Sequence, residues 1–176
     1  MPILFFILLF FSCVNDPNIV KEFVEQEKLP VEETEYAKII VTDNGDLKVK
    51  ASANSIKRYD NTQPALILEG DVEITFYDNS KVATSFLYSN YLEIDQENNM
   101  MVARDNVVLV SKNSDKLETE QLTFNEKKEK IFTKQKVIIT TKKEVIQGEG
   151  FESNLDFSQY KLSMIHGVFD INLSSD

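Results

Sequence analysis

The chain holds one cysteine, Cys13, and one histidine, His166, and their placement bounds the chemistry on offer. A thiolate nucleophile needs a neighbouring base to activate it. Cys13 closes an apolar run at one end of the chain, whereas His166 lies in a C-terminal segment patterned as an edge strand. Zinc sites use three or four Cys, His or carboxylate ligands at short spacing, and the sequence offers no such cluster. Carboxylates abound, but acid–base work needs two of them singled out in a pair. Glu118, Glu120 and Glu149 instead alternate along strand-like segments, the pattern of a solvated face. Read from its residues, the chain is not an enzyme and calls for no cofactor and no metal.

The cysteine has a different use. It follows "ILFFILLFFS", in which Ile3 to Phe11 are all apolar. A membrane-crossing helix needs roughly 20 such residues; a secretory h-region needs about 7–15. Phe10-Phe11-Ser12-Cys13 resembles a bacterial lipobox, where cleavage precedes a cysteine that carries lipid. The competing readings are a signal-anchor segment and a buried free thiol, since cysteine behaves as a small hydrophobe. The expectation is a signal peptide over 1–12, lipid attachment at Cys13 and a lipidated acidic tether over 13–36. A cysteine consumed by lipid leaves no disulfide, although an oxidising compartment would permit one.

Charge supports that division. The chain carries a net charge of −10, which argues against nucleic acid as a partner. Residues 14–36 hold seven acidic and two basic side chains. Within them "NIVKEFVEQEK" has the spacing of a short helix, with Asn18 as cap and Ile19, Phe23 and Gln26 on one side. Pro30 would end it, and the Glu-rich run beyond is too polar to pack.

From Ala37 the pattern changes to period two. "PALILEGDVEITFYD" sets Leu66, Leu68, Val72, Ile74 and Phe76 on one face and Glu69, Asp71, Glu73 and Thr75 on the other, which is half-buried strand alternation. Asn-Gly at 44–45 supplies the positive φ angles of a tight hairpin. Polar turn clusters follow at "YDNSK", "DQENN", "SKNSD", "NEKKE", "TKKE" and "LDFSQ", a spacing typical of antiparallel all-β proteins. The strands also repeat. "LEGDVEITF", "ARDNVVLVS", "TKQKVIITT" and "MIHGVFDIN" each place a valine after a polar or glycine pair: Val72, Val107, Val137 and Val168, spaced 35, 30 and 31 residues apart. About two strands per repeat follow, and such units must bury their apolar sides against one another. "NVVLV" and "KVIIT" lack a polar face, so both their surfaces are expected to be covered or one to line a cavity.

A lipobox-like "FFSC", an acidic tether, repeats of the "GDVEITF" kind and the ending "GEGFESNLDFSQYKLSMIHGVF" resemble the OstA/LptC-type proteins of lipopolysaccharide transport. The resemblance spans roughly residues 37–173, with "GEGFESN" its most specific part. It implies an all-β fold, an open, twisted antiparallel β-jellyroll shaped as a V, here over 37–174. It implies the task of receiving lipopolysaccharide from an inner-membrane ABC transporter (LptF/LptG-type subunits) and handing it to a periplasmic bridge protein of LptA type. It places the chain in the periplasm at the inner membrane, which Cys13 lipid would secure in place of the helix many relatives use.

Physical reasoning assigns residues to such a task. Each acyl methylene withdrawn from water is worth about 0.8 kcal/mol, so an apolar trough can shelter lipid A without a bond. The repeat register puts Leu68, Val72, Ile74, Phe76, Val107, Leu109, Val137 and Ile139 in that groove, and Phe86, Leu122, Phe124, Phe132 and Phe151 join as further candidates. Unpaired sheet edges can add strands from partners. Candidates there are Ile39, Val41, Leu47 and Val49 at one end, facing the transporter, and Ile165, Phe169 and Ile171 at the other, facing the bridge. The alternatives are a surface or periplasmic β-sandwich lipoprotein with a closed core that binds glycan or protein through exposed aromatics on one face, and a soluble bridge protein of the same fold.

Overall fold

The computed structural model describes residues 29–60 and 62–170 of the chain. They form nine strands: β1 (Glu32–Asp43), β2 (Asp46–Arg58), β3 (Leu66–Tyr77), β4 (Ala83–Asp95), β5 (Met100–Ser111), β6 (Lys116–Asn125), β7 (Lys130–Thr140), β8 (Glu144–Asn154) and β9 (Tyr160–Asp170). Each pairs antiparallel with the next, so the sheet order is the chain order and β1 and β9 are its two edges. Short polar turns make this meander, as at Asn44 and Gly45, whose φ values of 51° and 87° close the first hairpin. Among the described residues no helix is long and apolar enough to cross a membrane. Cys13, the segment 18–28 and Ile171 lie outside the described residues.

The first strand starts at Glu32, ahead of the boundary at Ala37 that period-two patterning suggests. The Glu-rich run has the sequence of a solvated tether because it lacks apolar alternation. It pairs instead with a complementary strand: Glu32 meets Arg58 at 2.8 Å and Glu33 accepts a hydrogen bond from Ser55 at 3.0 Å. Cross-strand charge complementarity supplies what apolar burial does not.

Every strand from β2 to β9 is interrupted near its middle. Register shifts separate Ser52 from Ser55, Glu69 from Val72, Tyr88 from Tyr91, Arg104 from Val107, Thr119 from Thr123, Thr133 from Lys136 and Gln147 from Gly148. Bulges increase local twist and bend a strand; aligned across neighbouring strands, they fold the whole sheet. The bend residues take left-handed backbone where the sequence permits it, at Gly70 and Asp71, at Asp105 and Asn106, and at Gly150. The polar pairs that precede Val72 and Val107 are therefore the creases of the fold. Outside the crease, Asn54 donates to Asp71 at 2.9 Å, Lys57 to Glu69 at 2.6 Å, and Arg104 pairs with Glu93 at 2.6 Å.

The result is one sheet doubled into a V, whose two walls share the same strands. The walls meet over the middle strands, where Leu68, Leu87, Leu92, Leu109, Leu117, Leu122, Ile131 and Ile139 are all fully buried. The turns of each wall form a rim, and the stacking of Phe76 on Phe124 joins the two rims.

Candidate functional site

The inner surface is built from cross-strand rows that the register sets out. The longest runs Ile39, Ala51, Ile74, Leu87, Leu109, Leu117, Ile139, Ile146 and Val168, one residue from each strand and every one apolar. Nearer one rim lies a shorter row of Val49, Phe76, Ser85 and Ser111. On the other wall one row is Ile56, Leu68, Leu92, Ala103 and Leu122, and the row next to its rim is Leu66, Ile94, Met101, Phe124, Ile131, Ser153 and Tyr160.

The rows do not end where the core ends. In the long row Leu109 is 0% exposed and Ile146 8%, whereas Val168 on the edge strand is 53% exposed. Its neighbour Ile165, paired with buried Gly148, is 59% exposed. At the opposite edge Ile39 is half-buried against the core and Val41 is exposed. The apolar interior is thus shut in its middle and open at both edges of the sheet. A polar recess of about 660 Å3 near the β2–β3 loop, lined by Arg58, Tyr59, Gln63 and Glu97 among others, is separate from these rows except at Leu66.

Of the groove candidates, Leu68, Val72, Ile74, Val107, Leu109, Leu122, Phe124, Val137, Ile139 and Phe151 come together in this core, with Phe76 packed at its margin. Phe86 and Phe132 do not. Each stands between buried neighbours, Ser85 and Leu87 or Ile131 and Thr133, and so lies on the outer side of its strand. The segment "ATSFLYS" misleads because its outward positions, Phe86 and Tyr88, are more apolar than its inward Ser85 and Ser89. Of the two expectations for "NVVLV" and "KVIIT", coverage on both surfaces or one surface lining a cavity, the first does not hold. Val108 and Val110 are half-exposed and Ile138 is 40% exposed on the outer side.

Among the partner-edge candidates, Ile39 and Val41 lie on edge strand β1, and Ile165 and Phe169 on edge strand β9. Leu47 and Val49 are on β2, one strand in. Met164, Val168, Ile40 and Tyr36 are also exposed at these edges; no period-two signal marks them, because an edge strand need not alternate.

A second missed feature is Phe157. In a segment whose sequence has the pattern of a polar turn, this residue is 2% exposed with φ of 57°, and its ring lies 5.5 Å from both Phe151 and Tyr160. The β8–β9 turn folds inward over the interior. It also reaches the other rim. Burial pushes the Asp156 carboxyl up, but hydrogen bonds from Ser158 and the charge of Lys112 on the β5–β6 turn hold it below the usual range. Burial, then Glu144 and Asp115 on that opposite rim, raise Tyr160.

The "GEGFESN" glycines sit beside β9. A side chain at Gly148 would place its Cβ 2.5 Å from the Met164 carbonyl oxygen, and one at Gly150 would meet Ser163 Oγ at 2.7 Å with the backbone at φ of 70°. Only glycine lets β9 close this end of the sheet.

The described residues contain no group of three or more His, Cys, Asp or Glu that could hold a metal ion. His166 lies 3.6 Å from Glu149, both side chains about half exposed. What the arrangement offers is an apolar interior closed in its middle, with polar turns at its margins and, among the described residues, an edge strand at either side.

No curated protein matches the sequence as a relative. The family pattern described as lipopolysaccharide-assembly, LptC-related, matches residues 3–169. The chain therefore belongs to the LptC family, components of lipopolysaccharide transport that work on the periplasmic side in association with the inner membrane.

Proposed function

We propose that this protein takes lipopolysaccharide from the inner-membrane ABC transporter at the β1 edge and passes it to a periplasmic bridge protein at the β9 edge. Acyl chains travel between the walls of the doubled sheet while sugars stay outside the rims. The observation that carries this reading is the unbroken apolar row from Ile39 to Val168, buried in the middle, half-buried at the β1 edge beside exposed Val41, and 53% exposed at the β9 edge. A closed sandwich would hide the ends of such a row; a conduit leaves them open for the next apolar surface. Edge strands can extend the sheet into a neighbour by main-chain pairing, which would align one row with the next. Because the walls touch in the resting state, transfer requires the rims to part while the crease holds. Lipid on Cys13 anchors the chain beside the transporter in this scheme.

Two experiments test it. A photo-reactive aromatic at Phe76 or at Val168 should crosslink lipopolysaccharide in cells, and one at Ile138, on the outer surface, should not. Purification from a Gram-negative membrane should bring transporter subunits with the protein. Equal labelling at all three positions, or none at the inner two in a folded protein, overturns the conduit. Acyl labelling that spares Cys13 overturns the anchor alone.

A further inference from the structure

The inner wall carries one side chain that the packing does not explain. Ser85 is 0% exposed, and its Oγ is the single buried side-chain polar atom without a hydrogen-bond partner among the described residues. The other buried hydroxyls of that wall are used. Ser89 donates to the Tyr91 carbonyl, Thr119 to the Lys136 carbonyl at 2.8 Å, and Ser111 accepts from the N–H groups of Asn113 and Asp115. A buried hydroxyl with no partner destabilises a fold, and an apolar residue at that position would remove the penalty.

Its position points to a ligand. Ser85 pairs across the sheet with Phe76 on one side and Ser111 on the other, in the row closest to the rim. Inward from it, on the same face, lies fully buried Leu87. A chain entering between the rims would pass this hydroxyl first and apolar surface afterwards. The stack of Phe76 on Phe124 spans the gap beside it, so parting the rims exposes Ser85 and the mouth of the slot together.

Resting on the conduit reading above, we propose that Ser85 is a specificity residue that donates a hydrogen bond to the carbonyl joining an acyl chain to its head group. The carbonyl of an ester or amide linkage is an acceptor at the boundary between polar head and apolar tail. With the head outside the rim and the tail along Leu87 and Leu109, that carbonyl falls at the depth of Ser85. The lipid carbonyl supplies the partner that the protein's own groups do not give the Ser85 hydroxyl.

The test compares the full-length chain with Ser85→Ala and Ser85→Thr, using lipid A and a matched pair of probes, 1-myristoylglycerol (ester) and 1-O-tetradecylglycerol (ether). The wild type and the Thr variant should prefer the ester by about three- to tenfold, the worth of one neutral hydrogen bond. The Ala variant should lose that preference, bind lipid A correspondingly more weakly, and melt no lower than the wild type. An unchanged ester preference in the Ala variant, with lipid A still bound, overturns the role of Ser85 and leaves the conduit standing. Failure of the wild type to bind lipid A overturns both.

Discussion

The rings of Phe76 and Phe124 stack with centroids 5.6 Å apart and planes 19° from parallel. These residues belong to β3 and β6, and they lie in the two rows nearest the opposite rims. With strands about 4.8 Å apart and about 3.3 Å of rise per residue, a flat sheet would hold them more than about 30 Å apart. Their contact measures how completely the sheet has doubled over. It also locates where the doubled sheet must come apart: at the rims, opposite the braced crease.

The stack should therefore act as a latch. Phe76→Ala and Phe124→Ala each lower stability, the buried Phe124 by about 3–5 kcal/mol and the margin residue Phe76 by less. A double-mutant cycle should give a coupling of about 0.5–1.5 kcal/mol, the usual worth of an aromatic pair. Phe76→Ala should also take up lipid faster than the wild type in stopped-flow measurements. Strict additivity, or unchanged uptake, would remove the latch from the mechanism.

Leu109 and Ile138 offer a contrast between the two surfaces of the same wall. Leu109 is 0% exposed in the long apolar row, whereas Ile138 is 40% exposed on the outside. Leu109→Ala should cost about 2–5 kcal/mol in urea unfolding through its lost transfer energy and the cavity left behind. Ile138→Ala should cost under about 1 kcal/mol, because half the side chain already meets water. Similar losses at both positions would mean that the outer surface is covered in solution.

Much of this wall was legible in the sequence, for a physical reason. The repeated valine follows a polar or glycine pair because the crease needs residues that tolerate bulged, left-handed backbone and the core resumes just beyond it. Val72, Val107 and Val137 are accordingly all buried. Val168 shares the spacing but is exposed, because β9 is an edge strand among the described residues. The inward serines, Phe86 and Phe157 were not legible. Side-chain polarity stands in for orientation only where burial is the sole pressure, and "ATSFLYS" and "LDFSQ" carry other demands. The strand at Glu32–Tyr36 was hidden for the related reason that its partners Arg58 and Ser55 are distant in sequence.

The crease makes its own prediction in alkali. Tyr91, Glu93 and Arg104 join β4 to β5 on the outside of the bend: the phenol donates to Glu93 at 3.2 Å and the guanidinium lies 5.8 Å from the ring centre. Burial first, then the charge and hydrogen bond of Glu93, push the Tyr91 phenol up to about 12. A folded pKa raised above the unfolded value of 10.0 stabilises the fold fully below that pH. The contribution is lost as pH climbs from there toward about 12. Ultraviolet titration should find Tyr91 and Tyr160 both ionising late, the Tyr91 component being the one lost in Tyr91→Phe. Glu93→Gln should bring that component down while burial keeps it above the ordinary value. No shift between the two proteins would detach Glu93 from Tyr91 in solution.

The edge strand separates folding from function most cleanly. Ile165 and Val168 continue the inner rows, yet they are 59% and 53% exposed, so a lysine at either position meets water and should change stability by no more than about 0.5 kcal/mol. A lysine there would, however, face the apolar row of any sheet that extends from β9. Burying an unpaired ammonium costs several kcal/mol, more than an edge pairing of ordinary affinity can absorb. Ile165→Lys and Val168→Lys should thus melt like the wild type, load lipopolysaccharide normally at the β1 edge, and fail to release it to the bridge protein in a two-component transfer assay. Normal transfer by both variants would place the exit elsewhere, and defective loading by either would mean that lipid enters at β9.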